Sequence, residues 1–421
     1  MHAWHTRLES GLRVAAERLD GARTVAVGLW LDCGTRHESG AESGVCHFLE
    51  HAIFKGTARR DLLTIARELE SLGGQTDAYT THEATCLTLH VLPEHLARAL
   101  DLLADLVTAA SLDSAAVETE RQVIAEEIRE AEDNPSDLVQ ELCARRVWAD
   151  HPLSQPVLGT LESVAALDAA RLRAFRDDHW CADRVLLCAA GAVDGPTLAD
   201  LAGQAFASLR PRAVPMPVDP PGFGPGLATR REDTEQVYLC LATPGLAAAD
   251  PDRHALWALD LLLGGTMNSR LFQQVREQRG LAYQVGSSWH AQRDAGLMLI
   301  DAVASPAKVE ELLRVVRAEV EDLAATGLSE EDLAWVKAYA RTTLTLGAES
   351  MPAQMARIGR GFFYEDRFVA LEETLAAVEN LTTAGLQRTA RRVFGGGPWA
   401  LAAVGPITAR RADRWWKAVG A

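Results

Sequence analysis

No two of the seven cysteines stand as Cys-x-x-Cys, and their number is odd. Neither a disulfide framework nor a cysteine zinc ribbon is indicated, and most of the thiols are expected to serve as small buried apolar groups. No apolar run approaches the roughly 18 uncharged residues of a membrane span. The opening MHAWHTRLESGLRV has no basic-then-apolar order of an export signal, so the expected location is cytoplasmic. Positive charge is in deficit as well, with a formal net charge of -16. Nucleic acid and anionic membranes need clustered Lys and Arg to displace counterions, and both are disfavoured as partners. What remains is an ordinary globular composition, 48% hydrophobic and 24% charged over 421 residues, long enough for two or three domains with cores of their own.

The stretch LRPRAVPMPVDPPGFGPGLATRRED (209–233) is too rich in proline and glycine for regular helix and reads as an extended connection near the middle of the chain. The text on either side repeats. LESVAALDAARLRAF (161–175) is echoed by LAAVENLTTAGLQRTARRVF (375–394), each followed by a β-like run, VLLCAAGAV and WALAAVGPI. TIARELESLGGQTDAYTT (64–81) is echoed by RLFQQVREQRGLAYQV (270–285), both helical periods stopped by glycine before a strand. We therefore expect a duplication: a first domain over 1–212, a linker over 213–232 and a second domain over 233–421. Runs such as TVAVGLWLDCG and GLMLIDAVA are separated by long amphipathic helices without strict alternation. The predicted fold class is α+β, each domain a mixed or antiparallel sheet packed with helices.

GVCHFLEHAIFKGT (44–57) sets two histidines and a glutamate in an otherwise apolar helical segment. His47 and His51 are one turn apart on one face, and Glu50 flanks it. Two imidazoles so placed can share a zinc ion, with a carboxylate near enough to take a proton from water, the order known as the inverted zincin motif. A catalytic zinc needs a third protein ligand. AAVETERQVIAEEIREAED (115–133) offers many carboxylates, and helical phase sorts them. Val117, Ile124, Ile128 and Ala131 define the buried stripe, Glu120 and Glu127 fall near it, and Glu118, Glu126, Glu130 and Asp133 point away. Phase leaves open which of Glu120 and Glu127 is the ligand and which supports it.

These segments together, with GGQTDAYTTHEAT, DHPLSQPVLGTLESV and NSRLFQQVREQRGLAYQV, resemble the pitrilysin and insulysin zinc peptidases. Within that family the chain is similar to the half-length branch of mitochondrial processing peptidase and its bacterial relatives. The resemblance implies one Zn2+ per chain held by His47, His51 and Glu127, with Glu120 as auxiliary carboxylate and Glu50 as general base. It implies that Arg276 and Tyr283 in the second domain bind substrate, and that Asp77, Ala78 and Thr80 lie on an edge strand to which extended peptide adds. Asp77 stands where that family usually has asparagine, and a carboxylate cannot donate as an amide does. Cys46, beside His47, is turned about 100° from it on a helix and is read as an inert buried thiol.

The segment HALWALDLLLGG (254–265) occupies the histidine helix's place in the second half but has neither a second histidine nor the glutamate. One metal per subunit follows. The implied protein is a zinc metalloendopeptidase acting on peptides or unfolded segments in a closed chamber. It is expected to work as a homodimer, Arg276 and Tyr283 of one subunit completing the zinc site of the other. The alternative is a non-catalytic peptide-binding or structural subunit of a hetero-oligomer.

Overall fold

A computed structural model describes residues 2–73, 75–215 and 218–420. Gly74, in the GGQTDAYTT segment, and Met216 and Pro217, in the expected linker, lie outside them. The strands are β1 (His2–Arg7), β2 (Arg13–Arg18), β3 (Val25–Leu31), β4 (Gln75–Thr80), β5 (Thr85–Val91) and β6 (Val185–Gly191) in the first sheet. A second sheet holds β7 (Gly226–Arg231), β8 (Val237–Pro244), β9 (Gln284–Ala291), β10 (Gly296–Ala304) and β11 (Ala400–Gly405).

The first sheet runs β1-β2-β6-β3-β5-β4 and the second β7-β11-β8-β10-β9. Apart from the extra β1, the two orders are the same. Each contains one parallel pair, β2 with β6 and β7 with β11, and is antiparallel elsewhere. The fold is accordingly α+β with duplicated mixed sheets. The central strands VAVGLWL and VLLCAAG are buried along their whole length, so both of their faces must be covered. β4, QTDAYT, is largely exposed and lies at the sheet's end, as its polar side chains suit.

By contacts the chain forms two compact units. One comprises Met1–Arg129, Gln155–Val218 and Thr345–Ala370, the other Glu130–Ser154, Asp219–Leu344 and Leu371–Ala421. In the first unit one face of the sheet packs Val27, Leu29 and Leu31 against Phe48, Leu49, Leu100 and Leu103. The opposite face packs Trp30, Leu186 and Cys188 against Met355, Ile358, Phe362 and Phe363 of the helix Met351–Glu365. In the second unit Cys240, Leu297, Leu299 and Ala402 pack against Leu138, Val139, Cys143 and Val147 of the helix Pro135–Trp148. Each sheet thus owes the cover of one face to a helix from the other half of the sequence.

Within the expected linker 213–232, Gly226–Arg231 is the strand β7, paired parallel to β11. Its partner is far away in sequence, so local proline and glycine content could not reveal the pairing. All seven cysteines are buried and unbridged. Among the described residues no helix is long and apolar enough to cross a membrane.

Candidate metal centre

The helix Val45–Ala52 carries the histidine motif, and its start is built by two neighbours. Gly44 opens it at φ +89, and a Cβ there would come within 2.7 Å of the Leu158 carbonyl oxygen, so only glycine fits. The carboxylate of Glu38 accepts from the backbone amides of Gly44 and Cys46, both at 2.8 Å, satisfying helix-start donors that have no partner inside the helix. Burial outweighs those two bonds and pushes the Glu38 carboxyl up to about 7. Val45, Cys46, Phe48 and Leu49 are fully buried, which fixes the helix's rotation and leaves His47, Glu50 and His51 on the flank that faces the second carboxylate-bearing helix, Ser114–Asp133.

On that second helix Val117, Glu120, Ile124 and Ile128 are buried and Glu127 is half-buried. Glu118, Glu126, Glu130 and Asp133 are exposed. Glu127 Oε2 lies 3.8 Å from His47 Nε2 and 3.6 Å from His51 Nε2. One donor atom from each of the three residues lies within 4.8 Å of the others. Tetrahedral zinc with ligands at about 2.0–2.2 Å sets its donors roughly 3.3–3.6 Å apart, close to these separations. Glu127 Oε2 is also buried without a hydrogen-bond partner among the described residues. A carboxylate oxygen so placed is costly unless a cation joins it, and the donor set suits zinc. Burial, then the neighbouring His51, lowers His47 to about 4, so its imidazole is neutral at pH 7, the form that binds metal.

Around this triangle stand four further groups. Glu120 Oε2 lies 3.3 Å from His51 Nδ1. Its Oε1 lies 2.7 Å from Lys55 Nζ, so the ring's outer nitrogen has a carboxylate to orient it and that carboxylate has a cation. The Thr80 hydroxyl donates to Glu50 Oε2 at 2.6 Å. Burial raises the Glu50 carboxyl above the ordinary range, against the lowering by Thr80 and His51.

The six residues His47, Glu50, His51, Thr80, Glu120 and Glu127 are thus neighbours in the first unit. Of the other expected peptide-binding positions, Asp77 is exposed on β4 and Ala78 packs half-buried against the core. Cys46 is buried with its Sγ 3.9 Å from Cys33 Sγ, away from the donor triangle. His82 lies in the turn between β4 and β5 with Nδ1 2.8 Å from the Thr35 hydroxyl, and His90 Nε2 is 2.8 Å from Thr24. Lys55 and Glu38 escaped sequence reading. Lys55 does sit one turn after His51, a spacing that places it on the same side, whereas nothing local distinguishes Glu38.

Arg276 and Tyr283 belong to the second unit. Arg276 lies on a π-helical turn, Phe272–Glu277, a wide winding found often at functional sites. Its guanidinium lies 4.7 Å from the Phe272 ring and 4.5 Å from the Tyr283 ring. Tyr283 is 73% exposed, unusual for an aromatic with only a structural duty. Both line a cavity of about 450 Å³.

Comparison with known proteins decides the family. Residues 13–161 match the family described as Insulinase (Peptidase family M16), and residues 166–339 match the one described as Peptidase M16 inactive domain. An uncharacterized zinc protease of Streptomyces coelicolor is 35% identical over 98% of this chain and 92% of its own length. The chain belongs to the insulinase family of peptidases. A second such relative, an uncharacterized zinc protease of Bacillus subtilis, is 32% identical over 94% of this chain and 97% of that protein. Two solved structures share the family's fold. A peptidase M16 inactive domain from Pseudomonas fluorescens has a TM-score of 0.91 at 20% identity, covering 97% of this chain and 99% of the other. A protease from Helicobacter pylori has a TM-score of 0.89 at 20% identity, covering 96% and 99%. As relatives bear the name zinc protease, a peptidase role and zinc are supported for this insulinase-family chain at family level.

Proposed function

We propose that the chain is a zinc-dependent endopeptidase, with one zinc held by His47, His51 and Glu127. The observation that carries this reading is the donor triangle with its unpartnered Glu127 oxygen, set beside a buried Glu50. When bound, zinc supplies Lewis acidity, polarising a carbonyl and making water acidic enough to lose a proton near pH 7. Glu50 takes that proton, helped by burial that makes its carboxylate a stronger base, and the Thr80 hydroxyl holds one of its oxygens in place. Glu120 and Lys55 fix the ring of His51. The exposed edge of β4, with Asp77 and Ala78, accepts extended peptide as an added strand.

Arg276 holds a substrate carbonyl, its planar cation kept in one orientation by the two aromatic rings, and Tyr283 donates to the oxygen on which charge develops. In the homodimer these two serve the zinc site of the partner subunit, and substrates are peptides and unfolded segments small enough for an enclosed chamber. The helix Arg253–Leu263, at the histidine helix's place in the second half, has one histidine and no glutamate, in keeping with one active centre per chain. The test is hydrolysis of a quenched peptide library with chelator, then with zinc restored, using Glu50→Gln as control. Activity abolished by chelator, restored by zinc and missing from the variant supports the reading. Hydrolysis that survives metal removal rejects it.

A further inference from the structure

The hydroxyl that holds Glu50 comes from Thr80, the last residue of β4. Its ladder pair with Thr85 is the final one before the turn 81–84, so the strand fixes it from one side only. The other side is held by the loop 34–38, which leaves β3. Gly34 comes so near the turn that a Cβ would lie 2.4 Å from the Thr81 oxygen and 2.6 Å from the Ala84 nitrogen. The amides of Thr35 and Arg36 donate to the carbonyls of Thr81 and His82 at 3.2 and 2.8 Å. Arg36 donates from Nη1 to Glu83 Oε1, and both side chains are buried. Inside the turn the Thr81 hydroxyl accepts from the amides of Glu83 and Ala84 at 3.2 and 3.0 Å, so a displacement of Glu83 passes to the neighbour of Thr80. At the loop's far end Glu38 accepts from the amides that open the histidine helix. One five-residue loop thus grips both the strand end with Thr80 and the helix with Glu50.

Docking such a loop does not by itself call for a buried ion pair. Taking two charges out of water is costly, and apolar residues in their place often serve stability as well. In the second unit β8 and β10 occupy the places of β3 and β5. The loop leaving β8 also docks through its backbone, the amides of Gly245 and Ala248 donating to the carbonyls of Gly296 and Gln292 at 2.8 and 2.9 Å. There the glycine is followed by Leu246 and Ala247 in place of threonine and arginine. A hydroxyl meets a helix carboxylate in that unit too, Ser287 donating to Asp260 at 2.5 Å. Ser287, however, lies in mid-strand with ladder pairs on both sides. In the unit with the metal donors the hydroxyl sits at a strand's end, and the ion pair stands beside it.

We propose that Arg36 and Glu83 are a positioning pair, locking the turn 81–84 so that the Thr80 hydroxyl stays on Glu50. The proposal rests on the peptidase reading for the role of Glu50. The pair acts through Thr80 and not on substrate.

The test replaces both members by apolar residues, Arg36→Met with Glu83→Leu, because removing one alone leaves a buried charge unpaired and destabilises the fold. In metal-free protein, hydrogen exchange at the amides of Thr35, Thr81 and Ala84 should quicken about tenfold or more in the double variant, while Val45–Ala52 keeps its protection. With zinc bound at the parent's content, kcat for a quenched peptide should fall about ten- to a hundredfold, the cost of a misplaced group, although the melting temperature holds. Thr80→Ala should lower kcat as well, and the apolar pair added to Thr80→Ala should lower it no further. A merely structural pair would lower the melting temperature, and its loss would add to that of Thr80→Ala. If the double variant does not fold, Glu83→Asp, which keeps the charge and draws the pair in by one methylene, enters the same cycle and should give the same pattern. Unchanged exchange, or a kcat loss that adds to that of Thr80→Ala, overturns the proposal. Faster exchange in the variant with no zinc-dependent hydrolysis by the parent would instead sink the peptidase reading and keep the positioning pair, whereas hydrolysis by the parent with exchange and kcat unchanged in the variant would do the reverse.

Discussion

At the scale of single residues, Glu50 and Glu127, on two different helices, stand in different surroundings. Glu50 is buried, bonded to a hydroxyl and raised in pKa, which suits a proton acceptor. Glu127 offers an unpartnered oxygen to two imidazole nitrogens, which suits a ligand. Glu50→Gln should keep zinc, as read by metal content, and lower kcat about a hundred- to ten-thousandfold, the ordinary worth of a general base. His51→Ala and Glu127→Ala should lose the metal. Glu120→Gln should leave the fold intact and weaken zinc about ten- to a hundredfold in competition with a chromophoric chelator, because His51 loses the carboxylate that orients it. Unchanged zinc affinity in that variant would reduce Glu120 to a partner of Lys55 alone.

At the scale of the element, the histidine helix is held in position at its start. Gly44→Ala combines a positive φ with a 2.7 Å approach to the Leu158 oxygen, and should cost more than about 1 kcal/mol in a denaturant melt. Glu38 adds a pH dependence whose sign is fixed. Its carboxyl, ordinarily near 4.5, stands at about 7 when folded, so the folded state binds the extra proton. Its contribution to stability is complete below pH 4.5 and is lost as pH rises through 7, a change on the order of 3 kcal/mol. Glu38→Gln gives up one amide acceptor and should melt lower than the parent at pH 5. From pH 5 to 8 the variant's melting temperature should fall less than the parent's. A parallel fall in both proteins would mean that other groups set the profile.

At the scale of the whole molecule, the duplicated order of strands places β4 and β9 at equivalent sheet ends, yet the two halves carry different chemistry: histidines and carboxylates in one, Arg276 and Tyr283 in the other. If the partner subunit supplies the second set, two inactive proteins should repair each other. Mixing Glu50→Gln with Arg276→Ala under conditions that exchange subunits should recover up to about a quarter of parental activity, since half the two-fold dimers are mixed and each of those has one complete site. No recovery, with co-purification through two different affinity tags showing that mixed dimers form, would place both sets in service of the same chain's metal.

The sequence by itself determined the duplication, the α+β class and the family, because each rests on local patterns. Helical phase put Glu120 and Glu127 near the buried stripe and sent Glu118, Glu126, Glu130 and Asp133 outward, as the helix in fact presents them. What phase could not divide was the work of the two inner carboxylates, which depends on which atoms stand opposite: two ring nitrogens for Glu127, Lys55 and the outer nitrogen of His51 for Glu120. Only the tertiary structure decided that Gly226–Arg231 is a strand and that Pro135–Trp148 and Met351–Glu365 each cover a sheet drawn from the other half. The Glu38 cap on the histidine helix was also decided there. All of these are contacts between residues distant in sequence, and no local periodicity encodes them.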